Sequence, residues 1–333
     1  TCLVGRLMAG ASSRSGMSAA LTLIGKRFAS SLLTLLLVSM TIFVIAQLLP
    51  GDAAQEALGQ SATPEQVAAL RHEMGLDRPA HVRYVSWLGG MLTGDPGQSM
   101  VANMPVGEVI EERLPNSLLL AALAAMVAIP VALSIGIGSA MNRGGRIDRA
   151  LNVVTLAMVA VPEFLVATIA VLIFSVKLRW LPSIALASSD MGWGEYLRGV
   201  AMPVLTLCVI VIAQMARMTR AAVIDQMDRP YVEMAVLKGV APVRVILRHI
   251  MPNAIAPIVN AMALSLSYLL GGAVIVETIF NYPGLASLMV NAVTSRDMPL
   301  LQACAMIFCA AYLILMLIAD VTAILANPRL RSQ

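Results

Sequence analysis

The stretch Glu233–Asn253, EMAVLKGVAPVRVILRHIMPN, interrupts the last third of a chain that is otherwise strongly apolar. It carries one acid, three bases and a histidine, with Gly239 and Pro242 standing where a helix would break. Two short helices can be read from it. Pro230 suits the start of a helix over Tyr231–Lys238, and Gly239 is the residue type usual just past a helix C-terminus. Pro242 then opens a second helix, with Val243, Ile246, Leu247 and Ile250 at i, i+3, i+4 and i+7 and Arg244 and Arg248 on the opposite face. The spacing thus predicts a helix, a break and an amphipathic helix lying along a surface. Taken alone, this pattern fits either a basic linker at a membrane interface or a docking element for a partner.

The surrounding composition decides where that surface is. Of 333 residues, 59% are hydrophobic and only 13% charged, against about 25% charged in an ordinary soluble domain. Burial in lipid accommodates so much apolar surface, which makes this an all-α polytopic membrane protein. The net charge of +4 is spread over many loops rather than clustered on one face, so no nucleic-acid surface is expected. Cys2, Cys208, Cys304 and Cys309 show no paired spacing, and none of His72, His81 and His249 joins a cysteine at metal-ligand spacing. Neither a disulfide framework nor a zinc site follows.

Six long runs are nearly free of charge, and each can cross a hydrocarbon core of about 30 Å. They are Phe28–Leu49, Leu114–Met141, Ala150–Val176, Val200–Ala216, Pro252–Val276 and Pro299–Ala319. The first is too long for a signal-peptide core and lacks an A-x-A cleavage site, so it reads as a true span. Residues 1–16, ahead of Met17, have the look of an extension from an upstream start. Six spans put both termini on one side, and that side holds 15 Lys and Arg against 8 on the other. The positive-inside rule therefore assigns both termini and the opening segment to the cytoplasm.

The resulting division has a cytoplasmic segment at 1–26, a first transmembrane helix at 27–49 and an external region at 50–112. A transmembrane core at 113–325 follows, with a cytoplasmic loop at 217–252 and a tail at 326–333. In the external region, Thr63 is placed as an N-cap, with Pro64 at the first helical position and Glu65 and Gln66 in the first turn. Val67, Leu70 and Met74 give that helix an apolar face. Tyr84 and Trp87 suit a helix near the membrane interface.

Several polar residues stand inside the spans. Glu163 interrupts the third run near mid-membrane, where a carboxylate is costly unless paired or hydrated. It reads either as a path-lining group that meets a substrate amine or as a hydrogen-bonded carboxyl packed behind Pro162. Glu277, at the outer end of the fifth run, reads as a gate contact or an interfacial carboxylate. Asp320 is expected to be solvated or paired, and Arg217 and Arg220 to reach lipid headgroups. Pro130 and Pro257 are expected to kink their spans.

The opening segment resembles the EAA loop of ABC-importer permeases: E-A-A, three residues, G, nine residues, then I-x-L-P. Here Glu233-Met234-Ala235 is followed after three residues by Gly239 and after nine more by His249-Ile250-Met251-Pro252. The segment departs from the pattern at Met234, His249 and Met251. Its ending is similar to that of the dipeptide, oligopeptide and nickel branch. MGLDRPAHVRYVSWLGGMLTGDPGQS (Met74–Ser99), LLPGD (Leu48–Asp52), RLPNSLLLA (Arg113–Ala121), LLGGAVIVETIFNYPGL (Leu269–Leu285) and RDMPL (Arg296–Leu300) resemble that branch's B-type permease subunit.

This resemblance implies a type I ABC importer-like fold of six transmembrane helices with an external helical cap. It implies that the first short helix is a coupling helix docking on a cytoplasmic ATPase, with Tyr231, Glu233, Ala235, Lys238, Gly239, Pro242, Arg244 and His249 as coupling residues. The implied partners are a C-type permease, two ABC ATPases that hold ATP and magnesium, an external solute-binding protein and membrane lipid. The implied location is the bacterial inner membrane. The chain contains no G-x-x-x-x-G-K-[ST], so it is not expected to be an enzyme or to bind a cofactor itself. Dipeptides or oligopeptides are the expected cargo, with nickel, glutathione, an opine or an oligosaccharide as alternatives. A secondary transporter or channel is a different class. It would need charges in several spans and often inverted repeats, whereas this chain has one mid-span charge and no evident repeat.

Overall fold

The computed structural model describes residues 2–48, 55, 58, 62–73, 75–185 and 191–326. Helices dominate the described residues. Helix α1 covers Cys2–Leu48, α2 Pro64–Glu73, α3 Ala80–Thr93, α4 Val106–Met141, α5 Arg146–Ala160 and α6 Glu163–Ala170, which runs on as a π-helix over Val171–Lys177. Helix α7 covers Trp193–Met227, α8 Pro230–Leu237, α9 Pro242–Val245, α10 Met251–Ile279, α11 Leu285–Thr294 and α12 Met298–Ala326. Among the described residues five helical segments are long and apolar enough to cross a membrane, and a bent pair makes up to six. Residues 49–52 of the LLPGD motif and the tail at 327–333 lie outside the described residues, as do the side chains of Leu70 and Met74.

The bundle is organised around α7, which packs on α4, α5, α6 and α10. In its most apolar window 67% of residues are buried, against 11% for α1, which lies at the edge on α12 and α3. Lipid is as apolar as Leu, so the contacts between spans depend on close packing rather than on escape from water. The chain supplies small residues for this. Ala124, Ala128, Ala132, Gly136 and Ala140 recur every fourth position, on one face of α4, and all are buried. A Cβ at Gly136 would stand 2.7 Å from the Ala216 carbonyl oxygen and 2.7 Å from the Thr219 Cβ, so the α4 and α7 backbones meet at contact distance.

The third span departs from the expected single run over Ala150–Val176. Pro162 has no N–H and drives Val161 out of the helical region, to φ −84° and ψ 126°. Helices α5 and α6 consequently meet at 98° rather than forming one rod.

The second helix of the opening segment also differs from expectation. It does not stop at Pro252 but joins α10, giving one apolar segment over Pro242–Ile279. Pro252 cannot donate an N–H, and a π-helical turn over Ile246–Ile250 bridges the gap, with Met251 N–H bonded to the Ile246 carbonyl. That turn rotates the faces. Val245, Ile246 and Ile250 are buried, whereas Val243 and Leu247 are exposed.

Between the first two spans, Thr63 caps α2 as expected. Its Oγ1 accepts the Gln66 N–H at 3.3 Å, and the Gln66 side chain accepts the Thr63 N–H at 3.0 Å, a reciprocal capping box. Tyr84 and Trp87 on α3 pack on Phe43 of α1, with ring centroids 5.4 Å and 6.1 Å away. Tyr84 also shares a 2.8 Å hydrogen bond with Ser39. Helix α3 is thereby fixed to the first span.

Candidate functional site

Helix α8 ends in a complete Schellman motif. Gly239 takes φ +74°, its N–H donates to the Val236 carbonyl at 2.9 Å, and Val240 N–H donates to the Ala235 carbonyl at 3.2 Å. Val232 and Ala235 are buried and pack with Val245, Ile246 and Ile250 on Ala140 and Val223. Ala235, which the resemblance implied to be a coupling residue, thus sits against the chain's own helices and does not face outward. Its small size lets α8 lie close to the bundle.

The opposite face of α8 is open. Tyr231, Glu233, Met234, Val236, Leu237 and Lys238 are exposed, with Leu237 at 74%. Past the turn, Pro242, Val243, Arg244 and Leu247 are exposed as well. A rigid helix presenting large apolar side chains beside Glu233, Lys238 and Arg244 has the anatomy of a protein interface, an apolar centre with a charged rim. The Tyr231 hydroxyl donates to Gln226 at 3.0 Å, which ties the start of α8 to the end of α7. His249 is half-buried, and its Nδ1 has no hydrogen-bond partner.

Beside this face lies a buried ion pair. Arg220 donates bidentately to Asp148, at 2.7 and 2.8 Å. The same carboxylate accepts from Ser139 Oγ at 2.5 Å, Asn152 Nδ2 at 2.8 Å and the Gly144 N–H at 2.9 Å. Asp148 is 3% exposed. Arg220 therefore does not reach headgroups as expected; it clamps the α4–α5 turn onto α7, one step before α8. Nothing in the sequence marks these two residues as partners, since 72 residues separate them. Arg143 and Asp228 add a second, exposed pair at 2.7 Å between the same elements. Asp320 is paired, with Arg27 at 3.4 Å.

At the other end of the bundle the quoted motifs meet one another. Glu277 is wholly buried and accepts from Ser117 Oγ at 2.5 Å, Ala286 N–H at 2.8 Å and Ser287 N–H at 2.9 Å. It therefore holds the first turn of α11, where backbone donors and the helix dipole favour a carboxylate. Asn116 donates to the Pro283 carbonyl at 2.8 Å, and Tyr282 donates back to the Asn116 carbonyl at 2.9 Å. RLPNS and ETIFNYPGL thus form one lock. Asp297 of RDMPL likewise accepts from Ser99 Oγ and from the Val101 and Leu300 N–H groups, joining the segment between the first two spans to α12.

Glu163 has a different setting. It stands in the first turn of α6, at the 98° bend, and lines a cavity of about 240 Å³ with Leu207, Val211, Tyr268, Gly271 and Gly272. A Cβ at Gly272 would collide with its carboxylate.

The chain is similar to several known proteins. A chain of the MetNI methionine ABC transporter, from a structure titled for its inward-facing conformations, superposes with a TM-score of 0.54 at 14% identity. The match covers 66% of this chain and 96% of that one, and it shows a shared fold. The "Probable peptide ABC transporter permease protein y4tP" of Sinorhizobium fredii is 32% identical over 306 residues, 92% of this chain and 98% of the relative. The glutathione transport system permease protein GsiC of Salmonella choleraesuis is 36% identical over 306 residues, 92% and 97% of the two chains. Residues 20–121 match the N-terminal family of binding-protein-dependent transport system membrane components. Residues 128–332 match the transport domain itself, so the chain belongs to the family of binding-protein-dependent transport system inner membrane components.

Proposed function

We propose that this chain is a permease subunit of an ATP-driven importer of short peptides, lining the translocation path and coupled through α8 to cytoplasmic ATPases. The observation that carries the reading is the open face of α8, rigidly terminated at Gly239 and backed by Val232 and Ala235, in a chain of this family. Both termini and residues 217–252 face the cytoplasm, and residues 50–112 face the binding protein. A second permease completes the path, while two ATPase subunits hold ATP and magnesium. Tyr231, Glu233, Lys238, Gly239, Pro242, Arg244 and His249 shape or present the docking surface.

Peptide cargo is supported by the names of the relatives, among them a peptide permease and a glutathione permease. Glutathione is itself a short peptide and is the second reading. The test is reconstitution with the cognate permease, ATPases and binding protein in proteoliposomes, with cargo identified by mass spectrometry of the binding protein's ligand. ATP-dependent uptake is expected, and Glu233→Arg is expected to abolish it with membrane insertion unchanged. Uptake independent of ATP, or undiminished in the variant, would overturn the reading.

A further inference from the structure

Among the described residues, the fully buried acids are satisfied within the chain. Asp148 has Arg220, Ser139, Asn152 and the Gly144 N–H; Glu277 has Ser117 and two backbone N–H groups; Asp297 has Ser99 and two more. Glu163 is the contrast. It is half-buried in an apolar span, yet among the described residues it has no hydrogen-bond or ion-pair partner. It stands in the first turn of α6, at the bend between α5 and α6. An unpaired intramembrane carboxylate calls for a cation.

We propose that Glu163 and its cavity bind an organic ammonium group, the free amino terminus of the imported peptide. Gly272 leaves the space that the carboxylate needs, and Gly271 beside it keeps that wall low. Tyr268 lines the same cavity, with an aromatic face suited to an ammonium. Leu207, Val211 and Ile275 make the remaining wall apolar, which suits the body attached to that charge. A divalent metal ion is a poor match, because it needs about six oxygen ligands and the cavity offers one carboxylate and one phenol. At about 240 Å³ the cavity falls below the roughly 300–1,000 Å³ of sites that enclose whole drug-sized ligands. It therefore takes one terminal residue and not an entire oligopeptide.

This inference rests on the importer reading, and its test separates the two. The assembled permease–ATPase complex in lipid nanodiscs is treated with the apolar carboxyl reagent dicyclohexylcarbodiimide, and modification of Glu163 is followed by peptide mass spectrometry. Alanyl-leucine at about ten times its dissociation constant is expected to slow that modification about tenfold, because the unliganded fraction falls by that factor. N-acetyl-alanyl-leucine, or sodium chloride at matched ionic strength, is expected to leave it unchanged. Modification of exposed Glu195 is expected to be indifferent to all three. Equal protection by both peptides, no protection, or a Glu163 that never reacts because the second permease supplies its cation would overturn the proposal. In proteoliposomes, Glu163→Gln is expected to lower the import rate of the free-amine peptide about tenfold with stimulated ATP hydrolysis retained, and Glu163→Asp to recover part of it. Import at the wild-type rate in the Gln variant would also overturn it. Failure of the wild-type chain to import with ATP would instead refute the importer reading and leave the labelling result standing.

Discussion

Single residues in this protein act chiefly through partners far away in sequence. Asp148 is the clearest case, because its carboxylate gathers five donor contacts from both α4–α5 and α7. Removing one member of a buried ion pair strands the other. Asp148→Ala is therefore expected to cost about 3 kcal/mol, read as a lower midpoint in thermal unfolding of the detergent-solubilised protein. The Asp148→Leu/Arg220→Leu double variant is expected to be more stable than either single change, since no unpaired charge remains. Gly136 acts through space it does not fill. Gly136→Val forces α4 away from the Ala216 carbonyl and should destabilise by about 3 kcal/mol; Gly138→Val, with nothing within 4 Å of its Cβ, should have little effect in the same assay. At this scale the sequence exposes oddities but not pairings. Glu163 and Glu277 stand out equally as acids in apolar runs, yet among the described residues Glu277 is held by three donors and Glu163 by none.

The elements were largely legible because their signals are local. Thr63-Pro64 with Gln66 announced the start of α2, and Pro230 with Gly239 announced both ends of α8. The two misreadings come from proline. At Pro162 the sequence reads as one span over Ala150–Val176, broken in polarity only at Glu163, but the missing N–H and the displaced Val161 turn it through 98°. At Pro252 the opposite occurs: a residue that usually stops a helix is bridged by a π-turn, and α9 continues into α10. This continuity has a functional consequence. The second part of the proposed docking surface, Val243, Arg244 and Leu247, and the span that bears Gly272 share one helical rod, so a displacement there can reach the Glu163 cavity. Gly239 sets the angle between α8 and that rod. Gly239→Val, at φ +74°, is expected to cost about 1–2 kcal/mol at the turn and to reduce ATP-driven uptake at least tenfold. Total and membrane-inserted protein, measured by quantitative blotting, should stay unchanged. Undiminished uptake would detach the turn from coupling.

At the scale of the whole molecule, the charge distribution predicts the orientation. With 15 Lys and Arg against 8, Lys238→Cys is expected to react with a membrane-impermeant maleimide only from the cytoplasmic face. Thr93→Cys on α3 is expected to react only from outside; the reverse pattern would invert the assignment. The sequence by itself determined the membrane setting, the number of apolar runs, the two ends of α8 and the family resemblance. Each of these depends on composition or on residues within a turn or two of one another, so a linear reading can reach them. The tertiary structure alone decided that α7 is the central helix, that the small-residue face of α4 lies against it, and that RLPNS closes on ETIFNYPGL. It alone decided, too, that Arg220 serves Asp148 and that Glu163 opens onto a cavity. Between helices in lipid there is little generic apolar drive to predict from; which faces meet depends on shape and on polar groups finding one another across long separations, and only the folded chain brings them together.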